Sequence, residues 1–219
     1  MSFDEESIKS VTDTILHCAV LVSDTLVRMA DLVTLTLLYH PGIDDRAEKM
    51  ELLYENVINF IDDITTTIYH PEEGNVLSIN QYDPIFSHLK IVSKTMVELI
   101  SLLSQHHMQM QLQTLEYFYN LNRSILDCIN IFSHLIHSNQ IDIQNFDKTQ
   151  ITMIELGAHK LYRLLLNELP EESNDWKSGF VLYLIGEKMS SIVFHSCEAS
   201  KKIYAARFAI IGSEKSENS

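Results

Sequence analysis

The clearest candidates for chemistry are Glu155 and His159, which stand four positions apart in the stretch ELGAHKLYR. Residues at i and i+4 share one face of a helix, and carboxylate oxygen with imidazole nitrogen suits iron, manganese or zinc. The spacing therefore permits a pair of metal ligands. It also permits a structural interpretation, because a lone buried histidine is usually a hydrogen-bonded core residue.

Two more residues could join such a pair. Asp62 in IDDITTTI corresponds to His159 when the segment 61–74 is compared with 158–173, and His195 lies in the last apolar segment, VFHSCEASKKI. Acids and histidines at this spacing on adjacent helices could converge on one metal ion. For His195 the core interpretation also stays open.

Other chemistry finds no support in the sequence. It contains no G-x-G-x-x-G, P-loop, G-x-S-x-G or H-E-x-x-H motif. The Glu-x-x-His spacing of di-iron bundles is also absent, because Ala158 stands where histidine would be. His195 and Cys197 are two positions apart, so they point apart on a helix and make no nucleophile–base pair. The histidines at 106–107 fall at a predicted helix end, which favours a solvated or capping role.

Charge and cysteine content restrict the partners and the compartment. A formal net charge of −14 repels phosphate backbones and anionic membranes, so nucleic acid is not an expected partner. The sequence has three widely separated cysteines and no C-x-x-C, so neither a zinc knuckle nor a disulfide framework is indicated: Cys18, Cys128 and Cys197. We expect a reducing, cytoplasmic compartment.

Neither a leader nor a membrane span is predicted. The first ten residues are acidic and lack an apolar run, unlike a signal peptide. The most apolar region, 14–39, is interrupted by Asp24, Arg28 and Asp31, and charges at that spacing exclude an ordinary transmembrane helix. Contact with a membrane would therefore be peripheral and through a partner.

Sparse Gly and Pro and regular apolar spacing predict an all-α protein. Six glycines and four prolines in 219 residues are too few for the turns of an all-β fold. The predicted helices lie at about 5–39, 46–69, 84–106, 109–137, 147–169 and 176–211. The first carries an apolar stripe at helical spacing: Ile8, Val11, Ile15, Ala19, Val22, Leu26, Met29 and Val33. Long amphipathic helices with short links predict an elongated antiparallel bundle.

A faint internal repeat divides the chain. The letters PEE recur at 71–73 and 170–172, each time at the end of a predicted helix. Two three-helix units, residues 1–107 and 108–212, would give this layout, followed by a disordered tail at 213–219.

This layout resembles the PhoU-like proteins, in particular the accessory proteins of Pit-type phosphate transporters. Members of that family are two three-helix units with Glu-x-x-x-Asp motifs on the second and third helix of each, and these motifs hold metal clusters. The segment IELGAHKLYRLLLNELPEES looks like the family's fifth helix, and SIVFHSCEASKKI like its sixth. The resemblance puts these residues on the eight motif positions: Ile58, Asp62, Lys94, Glu98, Glu155, His159, Ser191 and His195.

Three motif positions have lost a ligand, since Ile58, Lys94 and Ser191 cannot act as carboxylates. The resemblance therefore implies that the first unit has lost its cluster. It implies that the second unit, which keeps Glu155, His159 and His195, binds one transition metal ion (iron, manganese or zinc) or none. Asp62 and Glu98 are the candidate ligands that remain in the first unit.

Three functions follow as expectations. The first, favoured by the resemblance, is a non-enzymatic regulator or accessory of phosphate transport that contacts a phosphate permease or a sensor protein, with homo-oligomerisation left open. The second is a helical scaffold or interaction module without metal. The third, least favoured, is a carboxylate/histidine metalloenzyme, which needs an open metal position and a substrate cleft that nothing in the sequence requires.

Overall fold

A computed structural model describes residues 5–38, 43–68, 76–105, 110–172 and 176–217. All regular structure within these ranges is α-helical, which confirms the predicted all-α bundle. The seven helices of the described residues are α1 Glu5–Leu38, α2 Ile43–Ile68, α3 Val76–Gln105, α4 Leu112–His137, α5 Gln140–Asn145, α6 Thr149–Glu172 and α7 Trp176–Glu217.

The helices pack as two sets of three. In the first half α1, α2 and α3 all contact one another, and in the second half α4, α6 and α7 do the same. The two halves meet where α1 packs on α4 and α3 packs on α7. If the halves are repeats, α1 corresponds to α4 and α3 corresponds to α7. Each contact between the halves then joins two corresponding helices, as a two-fold axis between the halves would produce.

One continuous apolar core runs through both halves. Buried side chains from α1, α2, α3, α4, α6 and α7 form a single cluster, with Phe118 and Phe132 of α4 among its largest members. The stripe predicted on α1 faces this core over its described part: Ile15, Ala19, Val22, Leu26, Met29 and Val33 are all buried. The side chains at positions 8 and 11 lie outside the described residues. Burial of this stripe on one helix face is what holds α1 in place.

The third helix begins at Val76, eight residues earlier than predicted, and Pro84 lies inside it. The prediction treated proline as a helix start because it lacks an N–H group and clashes with the preceding turn. Proline removes only one backbone hydrogen bond, however, and the turns on either side can remain helical with a kink.

The other differences concern helix ends. The polar gap at 137–145 contains the short helix α5, whose N-cap Asn139 accepts a hydrogen bond from the backbone N–H of Asp142. Helix α6 continues to Glu172, and α7 continues through 213–217, where the sequence suggested a disordered tail. Glu and Lys in this last stretch have high helix propensity.

Helices α3 and α4 are separate. Helix α3 ends at Gln105 and α4 begins at Leu112, and the extended backbone of Gln111 marks the start of α4. The histidines at 106–107 and the first PEE at 71–73 lie outside the described residues.

Candidate functional site

The three acids predicted as metal ligands each bond a lysine from another helix. These ion pairs are Asp62 with Lys90 at 2.8 Å, Glu98 with Lys188 at 2.6 Å, and Glu155 with Lys201 at 2.7 Å. They lie between α2 and α3, between α3 and α7, and between α6 and α7, so the acids do not converge. Among the described residues no three His, Cys, Asp or Glu side chains come together as potential metal ligands.

Glu155 and His159 do share one site, as their spacing predicts. Both line an open groove of about 540 Å³ between α6 and α7, which we call the α6–α7 groove, together with the motif residue Ser191. His159 is exposed there, so its interpretation as a buried core histidine is wrong. The carboxylate of Glu155 points along the groove to Lys201, which neutralises its charge.

Gly186 allows α6 and α7 to approach closely beside this groove. A Cβ atom at position 186 would lie 2.6 Å from Cδ2 of the buried Leu165 and 3.2 Å from Cε2 of Tyr162. No real side chain tolerates the shorter distance without a shift of its neighbour. The absence of a side chain at Gly186 therefore sets how tightly the floor of the groove is packed.

Exposed aromatic residues follow one face of α7, starting at its N-terminus and reaching the groove. This α7 aromatic stripe consists of Trp176, Phe180, Tyr183 and Phe194, with Trp176 74% exposed and Phe180 54% exposed. At 3.6 residues per turn the four positions fall within about 60° of arc around the helix. Phe194 also lines the groove, next to the exposed Leu156 of α6. Between Tyr183 and Phe194 the same face of α7 carries Glu187 and Ser190, which also line the groove, so the exposed apolar surface has two parts: Trp176 to Tyr183, and Phe194 with Leu156.

The predicted ligand His195 meets a different partner, His88 of α3. Their Nδ1 atoms are 2.8 Å apart and their ring centroids 5.1 Å apart, so the rings face each other nitrogen to nitrogen. One Nδ1–H donates to the other Nδ1, which requires opposite tautomers in the two rings. Both side chains are half-buried, and His159 of the groove is not part of this pair.

Burial lowers the pKa of both imidazoles. Desolvation lowers the pKa of His195, although the Glu198 carboxylate opposes this. The pKa of His88 is also lowered, by desolvation first, then by the neighbouring His195 and by the Lys202 ammonium, against the opposing effect of Glu198. Burial, the neighbouring ring and the Lys202 ammonium favour the neutral imidazole, and only Glu198 among these groups favours the cation.

Two cysteines that are 69 residues apart in sequence also meet. Cys128 of α4 and Cys197 of α7 have their Sγ atoms 3.1 Å apart, and both are buried as free thiols. The hydrogen bond between the Cys128 and Cys197 thiols and burial raise the pKa of the Cys128 thiol. Buried, protonated thiols are poor nucleophiles.

The chain matches no protein-family model and no curated protein. Within the described residues, no helix combines the length and the apolar content that crossing a membrane requires.

Proposed function

We propose that this chain is a PhoU-like accessory protein that regulates phosphate transport by binding the cytoplasmic face of a phosphate permease, with no catalytic step of its own. The observation that carries the proposal is the α7 aromatic stripe beside the α6–α7 groove. The arrangement of two three-helix sets around one core supports the PhoU-like part of the proposal.

The stripe has the composition of a protein-binding surface. Trp and Tyr are enriched among the residues that dominate binding energies, because they bury a large area with few rotatable bonds. Trp176, Phe180 and Phe194 are all exposed on one helix face. Leaving them in water is unfavourable by about 25 cal/mol per Å² of apolar surface, so a partner that covers them gains this energy.

Charge supports a membrane transporter as the partner. The chain carries a net charge of −14, whereas the cytoplasmic loops of membrane proteins carry an excess of Lys and Arg. Opposite charge raises the rate of encounter and excludes acidic competitors. The aromatic stripe would then supply the short-range contacts that hold the complex together.

The proposal is tested by co-sedimentation with membrane vesicles that contain the Pit-type phosphate permease of the same genome. Phe180→Ser and Phe194→Ser should each weaken binding by roughly tenfold or more, the loss expected for a central aromatic contact. Leu112→Ser is the matched control, since Leu112 is 82% exposed on α4 and does not belong to the stripe. This variant should bind like the parent.

Binding that does not depend on the permease, or equal binding by parent and stripe variants, would overturn the proposal. A chain that binds through the same stripe only a soluble protein unrelated to phosphate transport would support the scaffold alternative. Phosphate uptake by cells carrying each variant gives the functional readout: stripe variants should behave like a deletion and Leu112→Ser like the parent.

A further inference from the structure

We infer that His88 and His195 together bind one divalent transition metal ion between α3 and α7, through their two Nδ1 atoms. This site differs from the α6–α7 groove, because it uses α3 and excludes Glu155 and His159. It also goes beyond the proposed function, which requires no metal.

The pair already holds its two Nδ1 atoms at a separation that one metal ion can bridge, once both rings turn toward it. Metal–imidazole bonds are about 2.0–2.1 Å long. Two nitrogens at the observed separation of 2.8 Å would then subtend roughly a right angle at the ion, which is the cis angle of tetragonal and octahedral sites. An opening by about 0.5 Å would instead give the tetrahedral angle that zinc prefers. In both cases the ion lies off the line between the two nitrogens, so each ring turns by roughly 35–45° to direct its Nδ1 lone pair at the ion, and the shared hydrogen moves to Nε2 of its ring.

The two imidazoles are also accessible and in the right protonation state. Both side chains are half-buried rather than enclosed, so an ion from solvent can reach them. Desolvation lowers the pKa of each ring, and the neutral imidazole is the form that ligates a metal. Coordination through both Nδ1 atoms requires that each ring carry its hydrogen on Nε2.

Charged side chains of both signs lie near the pair. The Glu198 carboxylate lies one turn after His195 and acts electrostatically on both histidines, but it bonds Lys201. The Lys202 ammonium acts on His88 with the opposite sign. The protein therefore provides two nitrogen ligands, and water completes the coordination unless Glu198 exchanges Lys201 for the ion.

The first experiment is calorimetric titration of the metal-free chain with Zn²⁺. The parent should bind one equivalent, and His88→Gln and His195→Gln should each lower the affinity by at least about tenfold, the smallest loss expected when a ligand is removed. His134→Gln and His159→Gln are matched controls and should bind like the parent. The His159→Gln control also separates this site from the groove, where a ligand pair was predicted from sequence.

The second experiment uses the parent alone, so it does not depend on how the variants fold. Paramagnetic resonance of the Cu²⁺-loaded chain should show hyperfine coupling to two directly bound imidazole nitrogens. Fewer than two nitrogens would overturn the inference. The same conclusion would follow if the parent bound Zn²⁺ no better than the double variant His88→Gln/His195→Gln, or if binding were lost in His159→Gln instead.

Discussion

Replacing each of two glycines by alanine tests the close approach of α6 and α7. Gly157 lies on the exposed face of α6, where an added Cβ meets nothing within 4 Å, whereas at Gly186 it would lie 2.6 Å from Cδ2 of Leu165. The added methyl group therefore meets open space at Gly157 and a tightly packed interface at Gly186.

The expected magnitudes follow from these environments. Alanine is favoured over glycine in a helix interior by about 1 kcal/mol, so Gly157→Ala should stabilise the chain by about that amount. Gly186→Ala gains the same stabilisation from helix propensity, but its new methyl group must displace the fully buried Leu165. Overpacking of this kind costs about 1–3 kcal/mol. We therefore expect Gly186→Ala to lie about 1–3 kcal/mol below Gly157→Ala in free energy of unfolding.

Urea unfolding at equilibrium measures this difference, and thermal unfolding should show it as about 2–4 °C per kcal/mol for a chain of this size. A double-mutant cycle locates its cause. Leu165→Ala creates a cavity that costs about 2–5 kcal/mol in the parent, but it should cost less in the Gly186→Ala background, because the new methyl group fills part of the space. Equal stabilisation by Gly157→Ala and Gly186→Ala would refute the close packing at position 186.

Three further predictions concern buried or half-buried polar groups. The pKa values of His88 and His195 are lowered in the folded state, so the unfolded chain takes up protons first as the pH falls below about 6.5. The free energy of unfolding should therefore fall from that pH down to the folded-state pKa values. Urea unfolding over about pH 5–7.5 should show this fall, with a shallower slope in His88→Gln. Asn122 is buried, its amide nitrogen donates to α1 and its Oδ1 has no hydrogen-bond partner. In the same assay Asn122→Leu should lower the free energy of unfolding by less than about 1 kcal/mol, whereas Asn122→Ala should lower it by about 2–3 kcal/mol. Cys128 and Cys197 are buried thiols, so a thiol reagent should label them only at the rate at which the chain opens, and fast labelling of either would contradict the packing of α4 on α7.

Local spacing in the sequence was sufficient to predict the helices and one part of the candidate site. The stripe on α1 was predicted because a period of 3.6 residues is visible within the segment itself. Glu155 and His159 share a groove for the same reason, since residues four apart in a helix must lie on one face. The start of α3 was missed because Pro84 has the same local effect whether it begins a helix or kinks one.

Contacts between distant segments could not be predicted in this way. His195 and His88 are 107 residues apart, and no motif at either position indicates the other. The thiol pair Cys128–Cys197 was missed for the same reason. The α7 aromatic stripe was visible in principle, because Trp176, Phe180 and Tyr183 have helical spacing, but only the packing decides that this face points to solvent and not to the core.

Polar contacts between the halves explain how one arrangement of α3 on α7 is selected. Apolar side chains can slide past one another at little cost, because burial is non-directional. His88 of α3 pairs with His195 of α7, and Glu98, further along α3, pairs with Lys188, which comes earlier in α7. The two helices therefore run antiparallel, and these two polar contacts fix their register. A shift by one turn would leave half-buried polar groups without partners, which costs more than a hydrogen bond contributes. The pair that we propose as a metal site would then also set the register of the two halves, and a bound ion would strengthen that same contact.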